Sequence, residues 1–368
     1  MKFKCMKSDL SLAISNVVRA VSNKTANPAL EGILIKAYDN KIELTGYDQE
    51  IGIITSVEAQ IKNEGEIIVS AKLFSEIVRK LPEEIVSFET DERLITYIVS
   101  GNADYQIIGM SSSDYPELPT FKETDKFSVN AGILKNMIRQ TIFAVSDNIT
   151  KPIYTGALFD IDNKNFKIVS VDGFRMAIRE ENIDSTSKNK FVVPKKTLSE
   201  ILKLVNDEDK NVEIIIGQRH IIFNIENYSI ISRLIEGNFL DYNSTVPKTE
   251  KTYFTIKTSI LADAVERMAL LADEKIQSPI RCVVCDDEIK LSCSSAKGKA
   301  SDNISINYAG EDVEIGFNNR YLLEALKNSD TDEVKIILNG SLSPMIIKPI
   351  DSESFIFLVV PMRLSQEK

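Results

Sequence analysis

Apolar and polar positions along the chain follow one order, and that order recurs. Phe3, Phe127 and Phe254 each open a short alternating segment. Each is followed by apolar residues at helical spacing and then by further alternating runs, the periods of an amphipathic helix and of half-buried strands. From Val18 the chain reads VRAVSNKTANPALEGILIKAYDNKIELTGYDQEIGI, and from Ile142 it reads IFAVSDNITKPIYTGALFDIDNKNFKIVSVDGFRMAI. The two share an AVS-(N/D) helix end, a proline, a glycine before an apolar strand and a DNK turn. A third copy from Ala269, ALLADEKIQSPIRCVVCDDEIKLSCSS, is more divergent.

A second half follows each copy on the same plan. IIVSAKLFSEIVRKL (67–81) corresponds to FVVPKKTLSEILKLV (191–205) and to VEIGFNNRYLLEALK (313–327). The pattern predicts an α+β protein of three repeated domains, each of two strand–helix–strand–strand–strand units. The expected domains are 1–120, 125–246 and 251–368. Asp114-Tyr115-Pro116 and Asp241-Tyr242 close the first two, and Pro/Thr/Lys-rich joints follow at 116–126 and 247–252.

The helices divide apolar from basic positions. Leu198, Ile201, Leu202 and Val205 make one stripe, with Lys196 and Lys203 opposite. Lys72 and Arg79 stand likewise against Leu73, Phe74, Ile77, Val78 and Leu81, and Lys135 and Arg139 flank Leu134, Met137, Ile138 and Val145. This matters because the chain as a whole is acidic, with 44 Lys and Arg against 54 Asp and Glu. The six helical segments reverse that balance, with 16 basic and 9 acidic residues. The helix at 257–275 dissents through Asp263, Glu266, Asp273 and Glu274. Basic helix faces gathered on one side of antiparallel sheets would suit a phosphate backbone contacted without base readout.

Composition adds bounds. An apolar share of 43% is that of a globular protein, and no run approaches the roughly 18 apolar residues of a membrane span. The first residues turn polar at Ser8-Asp9, and four cysteines do not make a disulfide framework. A reduced, cytoplasmic protein is expected. No catalytic residue, metal site or cofactor is expected either. His220 has no identifiable nucleophile and acid around it. Cys282, Cys285 and Cys293 give three thiols where zinc needs four ligands. Asp286-Asp287 reads as a hairpin turn, and no glycine-rich phosphate loop occurs.

The repeat together with Met1-Lys2-Phe3, Val171-Asp172-Gly173-Phe174-Arg175-Met176-Ala177, Ile315-Gly316-Phe317-Asn318 and Pro361-Met362-Arg363-Leu364 resembles the bacterial DNA polymerase III β subunits, the β sliding clamps, over essentially the whole chain. The resemblance implies a DNA-clamp fold and a head-to-tail homodimer that rings duplex DNA as a non-catalytic processivity factor. It implies a subunit joint of Tyr105 and Ile107 against Leu270, Leu271 and Glu274. It implies DNA contact at Lys24, Asn148, Lys151, Lys195 and Lys196. It also implies one apolar cleft for the polymerase III catalytic subunit, the clamp loader, other polymerases and repair proteins. The matching cleft positions are Tyr154, Val171, Gly173, Phe174, Arg175, Met176, Leu240, Ser244, Thr245, Asn318, Tyr321, Pro344, Leu358, Val360, Pro361, Met362, Arg363 and Leu364. Phe174 stands where His is common in the family, Met176 where Leu is common, Leu240 where Pro can occur and Ser244 where Arg can occur. Pro152 and Ile153 replace aromatic residues of some members, and four residues follow Leu364. A scaffold of repeated domains that never encircles DNA is the competing reading, and the helix charge leans against it.

Overall fold

The computed structural model describes residues 1–22, 25–119, 122–272 and 279–364. The expected order of strand, helix and three strands is adopted six times, around helices Lys7–Val17, Ala71–Lys80, Ala131–Ile142, Lys195–Leu204, Thr258–Ala269 and Asn319–Lys327. Two compact units result. One comprises Met1–Leu134 and Lys196–Leu234, the other Lys135–Lys195 and Ile235–Lys368.

In the first unit a twelve-stranded sheet runs from the edge strand Ala103–Ile108 to the edge strand Asp125–Asn130. It is continuous because Ile51–Asn63 pairs with Tyr228–Arg233, for example Ile53 opposite Ile230. Phe3 and Phe88 stack beneath it at 4.7 Å, with Phe74 edge-on to Phe88 at 5.8 Å. Two helix assignments need correction. Leu73 is 43% exposed, and Leu202 is half-buried while Leu204 takes the core position. The rest of each assigned stripe, Phe74, Ile77, Val78 and Leu81 in one helix and Leu198, Ile201 and Val205 in the other, is buried as expected.

The second unit has a nine-stranded sheet and a four-stranded sheet. Strand Arg175–Asn182 pairs with Phe355–Val359, which makes the larger sheet continuous. The helices Thr258–Ala269 and Asn319–Lys327 pack together, and Leu261, Val265, Leu322 and Leu326 share one core with Ile280, Phe317, Ile336 and Phe357 from both sheets. The divergent third copy thus keeps the same inside positions as the first two.

Hairpin turns follow their chemistry. Asp39 and Asn40 (φ 46 and 60°) and Asp286 and Asp287 (φ 54 and 57°) occupy the left-handed region that two-residue turns demand. The acidic pair is therefore a turn. Among the described residues no helix is long and apolar enough to cross a membrane.

Candidate partner-binding site

The nine-stranded sheet is apolar on both faces. Successive side chains on a strand point to opposite faces, so Ala177, Phe357, Ile347 and Ile336 enter the main core. Their neighbours form a second cluster on the other face. Register aligns that cluster in rows. Val171 lies opposite Met176, Met176 opposite Leu358, Leu358 opposite Ile346, and Ile346 opposite Ile337. A parallel row runs Leu158, Val169, Ile178, Ile356. Tyr154, Phe239, Leu240, Tyr242 and Val246 cover part of this surface, with Tyr154 edge-on to Phe239 at 5.4 Å. The Tyr242 hydroxyl donates to the buried Asp160 carboxylate at 2.7 Å. Burial, reinforced by that bond, holds its phenol far above the ordinary range.

At one end of the rows the Val171–Arg175 hairpin displays Phe174. Gly173 has φ +94° with open space around it, a conformation that favours glycine. The Asp172 carboxylate accepts the Phe174 and Arg175 amides at 2.9 and 3.0 Å. Phe174 is 58% exposed and stacks on Tyr321 at 5.9 Å. Arg175, expected to line the cleft, is instead buried. Its guanidinium pairs with Asp172 at 2.9 Å and with Glu324, and it lies 4.6 Å from the Tyr321 ring and 5.4 Å from that of Phe143. With its Nε bonded to Asp172 and Nη1 to Glu324, Arg175 positions the hairpin. Burial works to raise the Glu324 carboxyl, but hydrogen bonds from Arg175 and Arg320 outweigh it and hold it below its usual value.

The C-terminal tail crosses the same end. Val360 N–H donates to the Phe174 carbonyl at 2.8 Å, and Met362 N–H donates to the Gly316 carbonyl at 2.7 Å. Leu364 rests over Gly316, where a Cβ would meet it at 2.7 Å. The remaining expected residues divide by exposure. Val171, Met176 and Leu358 are a buried floor. Tyr154, Leu240, Tyr321, Pro344, Pro361, Met362 and Leu364 are half-buried, whereas Gly173, Ser244, Thr245, Val360 and Arg363 are exposed. Asn318 caps its helix, accepting the Arg320 and Tyr321 amides, and the Ser244 and Thr245 hydroxyls turn back to the Asp241 carbonyl. Ile346, Ile337 and Phe239 belong to the surface but were not foreseen. Their signal is cross-strand register, which one strand's sequence does not carry.

Family models for the N-terminal, central and C-terminal domains of the DNA polymerase III beta subunit match residues 1–119, 128–241 and 243–363. The chain belongs to the beta sliding clamp family. The beta sliding clamp of Bacillus subtilis is 32% identical over 99% of this chain and 100% of its own length. That of Staphylococcus epidermidis is 31% identical over 99% of both. Among solved structures, a putative DNA polymerase III beta subunit from Eubacterium rectale has a TM-score of 0.95 at 36% identity, covering 98% of this chain and 99% of its own. The B. subtilis clamp reaches 0.96 at 32%, covering 99% and 100%. The protein is thus a DNA sliding clamp, a non-catalytic processivity subunit of DNA polymerase III in replication.

The basic positions of this clamp are less free than their sequence suggests. Lys195 pairs with Asp147 at 2.7 Å, Lys203 with Glu200 at 2.8 Å, Arg139 with Asp330 at 2.6 Å, and Lys196 with Asp48. Lys135 is also engaged. Lys72 and Arg79 are exposed, as are Lys151 and Asn148, whose carboxamide oxygen accepts from Thr150. Lys24 and Glu274 lie outside the described residues. At the expected subunit joint, Tyr105 and Leu271 are half-buried and Leu270 is 78% exposed. Ile107 is a correction. It is only 7% exposed because strand alternation turns it inward, and its neighbour Ile108, 85% exposed, is the apolar residue on that edge strand. His220 begins a strand, and among the described residues no three His, Cys, Asp or Glu are grouped to hold a metal.

Proposed function

We propose that two copies of this clamp, each with domains 1–120, 125–246 and 251–368, close head to tail around duplex DNA in the cytoplasm. Partners dock on the apolar rows of the nine-stranded sheet. The observation that carries the docking site is the register-aligned floor Val171–Met176–Leu358–Ile346, buried against the half-buried Tyr154, Phe239 and Leu240 and ending at the exposed Phe174 and Val360. A short peptide with apolar anchors fits such a surface, where a few side chains dominate affinity. The polymerase III catalytic subunit, the clamp loader, other polymerases and repair proteins would share it. A Pseudomonas aeruginosa clamp, 26% identical over 99% of this chain, has been solved bound to griselimycin, which supports a ligand-accepting surface in the family.

The ring reading draws on two separate features. The edge strand Ala103–Ile108 exposes Ile108, and in the other unit Leu270 lies exposed at the end of Thr258–Ala269. A contact between chains would cover both, and a heterologous contact closes a ring when its rotation allows. DNA would be held by Lys24, Lys72, Arg79, Lys135, Arg139, Asn148, Lys151, Lys195, Lys196 and Lys203, with the ion pairs above keeping the grip weak enough to slide.

Labelled clamp loaded onto nicked circular DNA by a bacterial clamp loader tests the ring. Release on cutting the circle is expected, and retention would refute encirclement. Deleting residues 361–368 tests the cleft. Peptide binding should disappear while the dimer persists; loss of both would refute the assignment.

A further inference from the structure

The C-terminal tail also walls a groove of about 770 Å³ that contains none of the residues of the apolar rows. Its long side is the strand Val313–Phe317, last in the four-stranded sheet. One edge of that strand pairs with Ile280–Cys285, from Val284 opposite Val313 to Ile280 opposite Phe317. On the other edge the Gly316 carbonyl accepts Met362 N–H, an isolated bridge. In a strand the amide and carbonyl of a residue share an edge, and successive residues alternate. Glu314 therefore turns both its backbone groups to the groove. Leu342, 81% exposed, stands in the wall formed by the Gly340–Leu342 turn, and Leu364 adds a second apolar side chain.

Three features indicate the occupant. Glu311, Asp312 and Glu314 line the groove beside Lys251, Arg281 and Arg363, with Arg281 paired to Glu314 at 2.6 Å, so it lacks the excess of basic residues that a nucleic-acid backbone requires. An open strand edge beside the exposed Leu342 and the half-buried Leu364 matches an extended polypeptide, whose main chain supplies hydrogen bonds while alternate side chains find apolar contact. The groove also shares Met362, Arg363 and Leu364 with the tail, so a chain leaving the cleft meets it directly. We infer that this groove takes an extended segment of the polymerase subunit that the clamp tethers, adding a strand to Val313–Phe317 next to its cleft-binding peptide. The inference rests on the cleft reading above.

The test compares the full-length clamp with E314P, E314A and L342D. Proline at an edge position removes only the outward amide, because Glu314 N–H takes no part in the ladder to Ile280–Cys285. Binding of the intact polymerase III catalytic subunit and of its isolated cleft-binding peptide is measured for each. E314P and L342D should weaken polymerase binding about three- to tenfold, as expected for one lost main-chain bond or apolar contact, with E314A unchanged and all variants binding the short peptide alike. Polymerase binding by E314P and L342D at the unmodified level would overturn the inference. So would an E314A loss equal to that of E314P, which would assign the effect to the side chain. If the short peptide fails to bind the unmodified clamp, the cleft reading falls, and the E314P to E314A contrast on the polymerase still decides the groove. Thermal unfolding of E314P, checked against L342D, which leaves the strand intact, separates misfolding from loss of the edge.

Discussion

Replacing Arg175 by alanine should loosen the hairpin that displays Phe174. The side chain is 6% exposed and its partner Asp172 is 13% exposed, so water cannot take over the ion pair. Removing one member of a buried pair leaves the other charge uncompensated and costs about 3–5 kcal/mol. Glu324 loses a hydrogen bond as well, although Arg320 continues to hold it at 2.9 Å. A chain of this length does not unfold in one step, so the effect is best read locally, by hydrogen exchange across residues 165–182. Opening there should become about 100-fold more frequent or greater, each 1.4 kcal/mol being a factor of ten. The sign of the pH dependence follows from Glu324. Its carboxyl is depressed in the folded chain, so it stabilises fully above the unfolded carboxyl range near pH ~4.3 and less as pH falls through the depressed value. The difference between the native protein and R175A should therefore shrink in acid. Exchange altered less than about fivefold at neutral pH would mean a loss under about 1 kcal/mol, and would refute the view that Arg175 holds the hairpin.

Other expectations follow from single contacts. Gly316→Ala places a Cβ 2.9 Å from the Met362 carbonyl, so the tail must shift, and peptide affinity should fall while the dimer mass in sedimentation stays unchanged. K72A with R79A should lower the slope of log affinity for DNA against log salt by nearly two, whereas K196A should change it far less because Asp48 already engages that lysine. An equal change for Lys196 would show that its ion pair opens on DNA. Burial pushes the Cys5 and Cys282 thiols up to about 12, and Cys293 is raised for the same reason. A thiol reagent at pH 8 should therefore label the half-buried Cys285 first, and rapid labelling of Cys282 would contradict the packing of its strand.

Periodicity by itself determined the six repeated units, the helices and most of their buried faces, because side-chain direction follows from local backbone geometry. Local turn chemistry likewise marked the Asp39-Asn40 and Asp286-Asp287 hairpins. Family motifs marked Gly173, Phe174 and the tail, but they could not say which neighbours would be spent on the fold. Arg175 is the plainest case. Its motif suggested a ligand contact, yet Asp172 lies three residues away and Glu324 is distant in sequence, and only folding brings all three together. The same holds for the basic helix faces, where Lys196 is counted as free charge until the chain brings Asp48 to it. Ile107 and Ile108 could not be told apart, because a shift of one residue in register exchanges inside for outside. The partner surface itself is a property of register. Val171, Met176, Leu358 and Ile346 come from four strands, and the physical reason they form one row is the hydrogen-bond ladder that aligns those strands.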